Sequence, residues 1–245
     1  MGRGIARRTH DVGRVRRKGA GDFVTEVDTW AEERVMTALT RRFPGHNLLG
    51  EESGWVDRGA PVTWVVDPID GTSNFARGLR LCALAIGCVD EHHRPLAAAV
   101  FALPDQELLW AARGQGAYAS GTRLHTPRTR LDDAAIVSVQ WVRGAPPPAC
   151  LGRLLATGCR FRNFGCTVVQ LCDVARGRLD ANLQTQGHIW DLVAPGLIAE
   201  EAGARMLGWD GRPILPFPSL DGARHYPSIT AHPALAARLA RLVRG

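Results

Sequence analysis

The hydrophobic rhythm of the chain changes near its middle. Short apolar runs at 63–67, 81–89, 96–103, 107–112 and 135–140, separated by Gly, Pro and Asp, read as strands. One helical period precedes them. Over 29–42, Trp30, Val35, Met36 and Leu39 fall on one face, and Phe43-Pro44-Gly45 ends the segment. These elements predict a large, mainly antiparallel sheet with its own helices, centred on a first half spanning 1–130 and drawing in the run at 135–140 just beyond it. The second half, 131–245, alternates instead: a helix over 167–176 closed by Gly177, a strand over 179–183, a helix over 191–202 closed by Gly203, a strand over 228–231 and an amphipathic helix over 234–243. Such alternation argues for an α/β unit, and the pattern as a whole establishes a mixed α and β chain. The two halves are expected to act as one functional unit.

The run Trp64-Val65-Val66 leads straight into Asp67-Pro68-Ile69-Asp70-Gly71-Thr72-Ser73-Asn74-Phe75. A strand end holds one carboxylate, Pro68 fixes the next turn, Asp70 returns three residues later, and Gly71 lets backbone amides approach an anion. An isolated Asp-Pro turn would be solvated loop. Two further groups of acids weigh against that: Gly50-Glu51-Glu52-Ser53 after an apolar pair, and Ile189-Trp190-Asp191 ahead of a helical stretch. On Asp191 both a helix N-cap and a metal-ligand reading stand, with Pro195 then in the first turn.

Composition narrows the chemistry. The 245 residues are 45% hydrophobic, enough for one substantial core or two joined subdomains, and no apolar run reaches membrane-spanning length. The Arg-rich start lacks the apolar centre of a secretory signal, so a cytoplasmic location is expected. The six cysteines have no CxxC spacing and read as buried reduced thiols, leaving oxygen ligands and a hard cation, magnesium or manganese. The net charge of +6 comes from arginines spread along the chain, without a basic and aromatic stripe. It reads as solvated surface attractive to phosphorylated substrates rather than as a nucleic-acid face. Lys18 is the only lysine among 30 basic residues, which suggests a need for a compact ammonium there. No GxGxxG or GxxxxGK[ST] element occurs.

Asp22-Phe23-Val24-Thr25-Glu26-Val27-Asp28, the Gly-Glu-Glu-Ser element, Asp-Pro-Ile-Asp-Gly-Thr-Ser-Asn-Phe and the Trp-Asp segment occur in this order. Together they make the chain resemble the inositol monophosphatase family of magnesium-dependent, lithium-sensitive phosphatases, a superfamily that includes fructose bisphosphatase. The resemblance implies a layered α-β-α-β-α sandwich, a homodimer, and two or three Mg2+ ions, with Mn2+ as a substitute. By resemblance Glu51, Asp67 and the carbonyl of Ile69 hold a first metal, and Asp67, Asp70 and Asp191 a second. A third site would use Glu51, with Glu52 and Lys18 nearby. Thr72 paired to Asp28 would orient the attacking water, Glu51 could accept its proton, and the amides of Gly71 and Thr72 would carry the phosphate.

The resemblance places substrate contacts at Gly165, Cys166, Thr167, Gln184 and Asp191. Gln184 stands where inositol-selective relatives carry glutamate, and Cys166 where threonine is common. Both departures weigh against inositol itself, whereas the Ser73-Asn74-Phe75 continuation leans toward the inositol monophosphatase branch, and the expected substrate is inositol monophosphate or a similar polyol or sugar phosphate. Histidinol phosphate, fructose bisphosphate and a bisphosphorylated nucleotide are alternatives, and an RNA-associated or regulatory protein on the same fold is an alternative of another class. His188 reads as a scaffold residue and Trp190 as packing. Relatives carry a full helix ahead of the lysine; the Arg- and Gly-rich start here suggests either its loss or an upstream start, leaving apolar surface of the first half less covered.

Overall fold

The structure is a computed structural model that describes residues 1–8, 15–19, 22–103, 105–141 and 144–245; the side chains of 15, 17–19, 22 and 23 lie outside the description. In chain order the elements are α1 (Gly2–Ala6), β1 (Val15–Gly19), β2 (Asp22–Thr25), α2 (Glu26–Arg42), β3 (Asn47–Gly50), β4 (Gly54–Val56), β5 (Thr63–Asp70), α3 (Thr72–Phe75), β6 (Ala83–Val89), β7 (Pro95–Ala102), β8 (Glu107–Ala112), β9 (Gly116–Ala119) and β10 (Thr122–Arg123). They continue with β11 (Ile136–Gln140), α4 (Cys150–Leu155), β12 (Arg160–Arg162), α5 (Thr167–Ala175), β13 (Ala181–Gln184), α6 (Ile189–Glu201), β14 (Arg205–Gly208), β15 (Ser228–Ala231) and α7 (Pro233–Arg244).

Strands β10-β9-β8-β7-β6-β5-β3-β4 form one sheet, antiparallel except where β3 runs parallel to β5. Strands β12-β11-β13-β15-β14 form a second, with β11 parallel to both neighbours. The strand expected at 135–140 thus belongs to the second sheet, not to the large antiparallel one: its partners Ala181–Gln184 lie far along the chain, a pairing that periodicity does not reveal.

Four apolar clusters fix the layers. α1 and α2 cover one face of the large sheet through Ile5, Val27, Ala31 and Val35 against Val66, Ile69 and Leu84. On its other face α5 and α6 pack Val168, Leu197 and Ile198 against Ala83, Ala85 and Val100. α6 also meets the second sheet through Met206, and α4 and α7 close the outside with Leu154, Leu235 and Leu239 against Val137 and Ile229. This is the α-β-α-β-α order.

Local corrections have local causes. α2 begins at Glu26 rather than 29, because Thr25 caps it: its Oγ1 accepts from the amides of Val27 (3.2 Å) and Asp28 (3.4 Å), and its own amide donates to Asp28 Oδ2 at 2.8 Å. α6 begins two residues before 191, with His188 at the N-cap. Asp191 is therefore the third helical residue, not the cap, and Pro195 lies inside the helix rather than in its first turn. The start of the chain is not bare of helix: α1 buries Ile5 completely, although Leu108 and Trp110 on the nearby sheet stay 47% and 38% exposed. All six cysteines are free and buried. Among the described residues, no helix is long and apolar enough to cross a membrane.

α6 lies so close to the large sheet that Gly87 on β6 is a requirement. A Cβ there would come within 2.4 Å of Val193 Cγ1 and 3.2 Å of the Ala194 nitrogen. Gly87→Ala should destabilise the fold by about 1–3 kcal/mol through overpacking, lowering the midpoint of thermal unfolding by several degrees. An unchanged midpoint would show that the helix can lift without penalty.

Candidate metal and phosphate site

The site grows from a defect in β5. Between Asp67 and Asp70 three steps of β5 oppose two steps of β6, since Asp67 pairs with Ala85 and Asp70 with Ala83. Asp67 and Asp70 would face opposite sides of a regular strand; one extra residue returns both to the same side. Pro68, which cannot donate to a ladder, sits within this bulge. The expected turn at Pro68 is thus a bulge, and the strand continues through Asp70.

At the end of β5, Gly71 has φ +83° and begins α3, and a Cβ on it would lie 2.7 Å from the Leu81 carbonyl oxygen and 3.1 Å from Cys166 Cβ. Only glycine fits this approach. The first turn of α3 then folds back, with the amides of Asn74 (2.8 Å) and Phe75 (2.9 Å) donating to the Gly71 carbonyl. α3 has only four residues, a single turn beside the amides expected to carry phosphate.

α6 brings Asp191 to the same place. One oxygen from each of Asp67, Asp70 and Asp191 lies within 4.8 Å of the others, across a sheet and a helix far apart in sequence. Asp67 is completely buried, and among the described residues no amide, hydroxyl or cationic side chain donates to its carboxylate oxygens. Its nearest polar neighbours are other carboxyl groups: burial foremost, then Glu51, Asp70 and Asp191, push its pKa well above the usual carboxylate range. Asp191 is likewise raised, by burial and then by Asp70 and Glu51, against the pull of the His188 amide 3.1 Å from its Oδ2. Asp70 is raised to about 6 by burial, partly offset by donors that fix its Oδ2: Cys166 Sγ at 3.0 Å and the Val168 amide at 2.5 Å. A buried carboxylate with no donor beside further carboxylates is costly alone and is satisfied by a cation. Oxygen ligands in this number suit Mg2+ or Mn2+.

Next to this cluster, Thr72 Oγ1 lies 3.1 Å from Asp28 Oδ1 and 3.0 Å from the Ile69 carbonyl oxygen. Asp28 is buried, which raises its pKa, while hydrogen bonds from Thr25 and Thr72 oppose that rise. Its other oxygen is occupied by Thr25, whose hydroxyl and amide both donate to Oδ2. Thr25 therefore orders the turn, and Asp28 is left with one oxygen for Thr72.

Other candidates fall in different places. Glu51 and Glu52 are half-buried at the end of β3. The side chain of Lys18 lies outside the described residues. Gly165 has φ +66° and, with Cys166 and Thr167, leads into α5 next to Asp70. Cys166 is fully buried and turned to Asp70. Gln184 is also fully buried, accepting from Thr167 Oγ1 at 3.1 Å and donating to Ser228 Oγ at 3.0 Å, so both ends of its amide are taken by the protein. His188 hydrogen-bonds the Gly222 carbonyl at 3.0 Å and stacks on Trp190, a scaffold arrangement.

Two residues of the site escape the sequence reading. Glu32, buried on α2, accepts from the amides of Glu52 (2.9 Å) and Ser53 (2.7 Å), and a Cβ on Gly50 would meet its carboxylate at 2.6 Å. It shapes the turn that presents Glu51. The available signal was the Asp28 to Glu32 spacing, which puts two acids on one helical face turned inward. Asn74 donates through Nδ2 to the carbonyls of Leu81 (2.9 Å) and Phe164 (2.8 Å), tying α3 to the segment before α5.

Comparison with known proteins places this geometry. Residues 3–245 match the model of the inositol monophosphatase family. The chain is 31% identical over 198 residues to the fructose-1,6-bisphosphatase/inositol-1-monophosphatase of Aquifex aeolicus, covering 77% of this chain and 73% of that protein. It is 34% identical over 209 residues to Nus factor SuhB of Escherichia coli K12, covering 83% and 78%. Among solved structures, an IMPase/NADP phosphatase complexed with Mg2+ and phosphate superposes with a TM-score of 0.83 at 25% identity, over 98% of this chain and 88% of that one.

Proposed function

Since the chain belongs to the inositol monophosphatase family, we propose that it is a metal-dependent phosphomonoesterase acting on a small phosphorylated polyol or sugar, with inositol monophosphate the leading substrate. The observation that carries this reading is the buried, donor-free carboxylate of Asp67 beside Asp70 and Asp191. Glu51, Asp67, the carbonyl of Ile69, Asp70 and Asp191 would hold the ions. When bound, such ions lower the pKa of water and neutralise the charge of a departing alkoxide.

The remaining work falls to the chain itself. Asp28 holds the Thr72 hydroxyl in one orientation, so that a lone pair of Thr72 Oγ1 is fixed for a proton of the attacking water. Glu51 would be the base that takes that proton. Amides at Gly71 and Thr72 face the phosphate without reorganising, because the bulge and the positive φ of Gly71 fix them in advance. Gln184, held by Thr167 and Ser228, offers no free carboxylate to ring hydroxyls, which supports a broad polyol or sugar phosphate preference over strict inositol selectivity.

The test is phosphate release from inositol monophosphate, histidinol phosphate, fructose bisphosphate and a bisphosphorylated nucleotide, with Mg2+ or with EDTA, by wild type and Thr72→Val. Release that requires Mg2+ and falls about 10²- to 10³-fold in kcat for Thr72→Val, with KM little changed, is the expected outcome. Release untouched by EDTA would overturn the reading. The likeness to a Nus factor supports a second, regulatory reading, favoured if the folded protein releases phosphate from none of the four.

A further inference from the structure

Away from the acidic cluster, the loop from β10 to β11 and the first two turns of α7 border a cavity of about 510 Å3 that is open to solvent, lined by Arg128, Thr129, Arg130, Leu131, Leu235 and Arg238, together with Ala234. Among the described residues no carboxylate lines it, and α7 has no acid in its first turn. Among the described residues, none of the three guanidinium groups forms an ion pair, whereas Arg80, Arg176 and Arg205 pair with Asp105, Glu107 and Glu200. Thr129 Oγ1, on the cavity wall, is shut off from solvent without a hydrogen-bond partner. Three exposed arginines from two separate elements thus border one hollow, and their summed positive potential, with no acid in the lining to offset it, attracts an anion.

We infer that this cavity binds a small organic diphosphate, of the nucleoside or sugar diphosphate class. Its volume lies within the range of small-molecule sites and would leave a lone phosphate largely surrounded by water. A diphosphate ester carries about three negative charges near neutral pH, matching the three arginines, whose planar forks suit phosphate oxygens. The apolar walls from Leu131, Leu235 and Ala234 suit the uncharged remainder of such a molecule.

The same loop touches the ends of both helices that serve the acidic cluster. The Thr126 amide donates to the Ala202 carbonyl at the end of α6 (2.7 Å), and Pro127 packs against Gly177 at the end of α5. A ligand here would therefore press on a loop already seated on α5 and α6.

Calorimetric titration of the full chain in EDTA, with ADP and pyrophosphate as probes and adenosine as control, tests this. Without divalent ions the acidic cluster repels anions, so saturable one-to-one binding of ADP, weakened by salt and absent for adenosine, is expected. Arg130→Gln/Arg238→Gln should lower the affinity about tenfold or more while the melting midpoint stays at the wild-type value. Should the double variant unfold, Arg238→Gln alone, expected to lose about threefold, serves instead. Absence of saturable binding, or affinity unchanged in the arginine variant, would overturn the inference. So would an affinity changed by Asp67→Asn instead, which would seat the anion at the acidic cluster.

Discussion

Asp67→Asn is expected to reduce Mg2+-dependent phosphate release by about three orders of magnitude while making the metal-free protein more stable. The two effects have one origin. Asp67 is the fully buried member of the cluster, donor-free and surrounded by Glu51, Asp70 and Asp191. On the proposed reading its charge is useful only when a cation is present, and loss of a ligand shared by the ions would remove several kcal/mol of stabilisation from the charge developed during hydrolysis. Without a cation the same charge is a penalty. Asparagine has nearly the same shape, and removing the charge relieves both desolvation and repulsion. Thermal unfolding in EDTA at pH 8 should therefore show a higher midpoint for the variant, and in Mg2+ the order should reverse. A variant less stable than wild type in EDTA would mean that Asp67 contributes a structural contact not visible here.

The second large effect concerns pH. For a carboxyl group whose folded pKa lies above its unfolded value, the native state binds the proton more tightly than the unfolded chain. Its contribution is fully present below the unfolded pKa and is lost as pH rises through the folded one. For Asp70 that window runs from 3.8 to about 6, a change of the order of 3 kcal/mol; Asp67 and Asp191, raised well above the ordinary range, extend it upward. The metal-free protein should thus be more stable near pH 5.5 than near pH 8. Mg2+ should abolish or invert that order, adding about 2.7 kcal/mol at pH 8 once its concentration is about 100 times its dissociation constant. Melting curves at the two pH values, with EDTA and with Mg2+, check this. Equal stability at both values in EDTA would show that the acids already share protons or an adventitious ion.

What was legible in the sequence follows from how local each feature is. Asp67, Asp70, Gly71 and Thr72 lie within six residues of one another, and their spacing carries their chemistry. Even so, Pro68 reads as a turn in the sequence and is a bulge in the fold, because the bulge is defined by the opposing Ala83 and Ala85. Helix starts shifted wherever a cap reached beyond the apolar period, as at Thr25 and His188. Glu32 looked like one acid among many on α2; only the fold shows that it holds the Glu52 and Ser53 amides. The arginines at 128, 130 and 238 are scattered in the sequence, and two distant segments bring them around one cavity.

α6 bears on how the molecule assembles. Of its thirteen residues nine are buried, Val193 presses on β6, Gly196 sits under Met206 of β14, and Pro195 interrupts its own hydrogen-bond ladder. A helix apolar on all sides, with a proline in its middle, gains little from forming in water by itself. It should become stable only after both sheets are present to receive it. Asp191 would then be delivered to the cluster in a late step of folding, so that an intermediate with both sheets formed and α6 undocked would retain much secondary structure yet have no affinity for the cation.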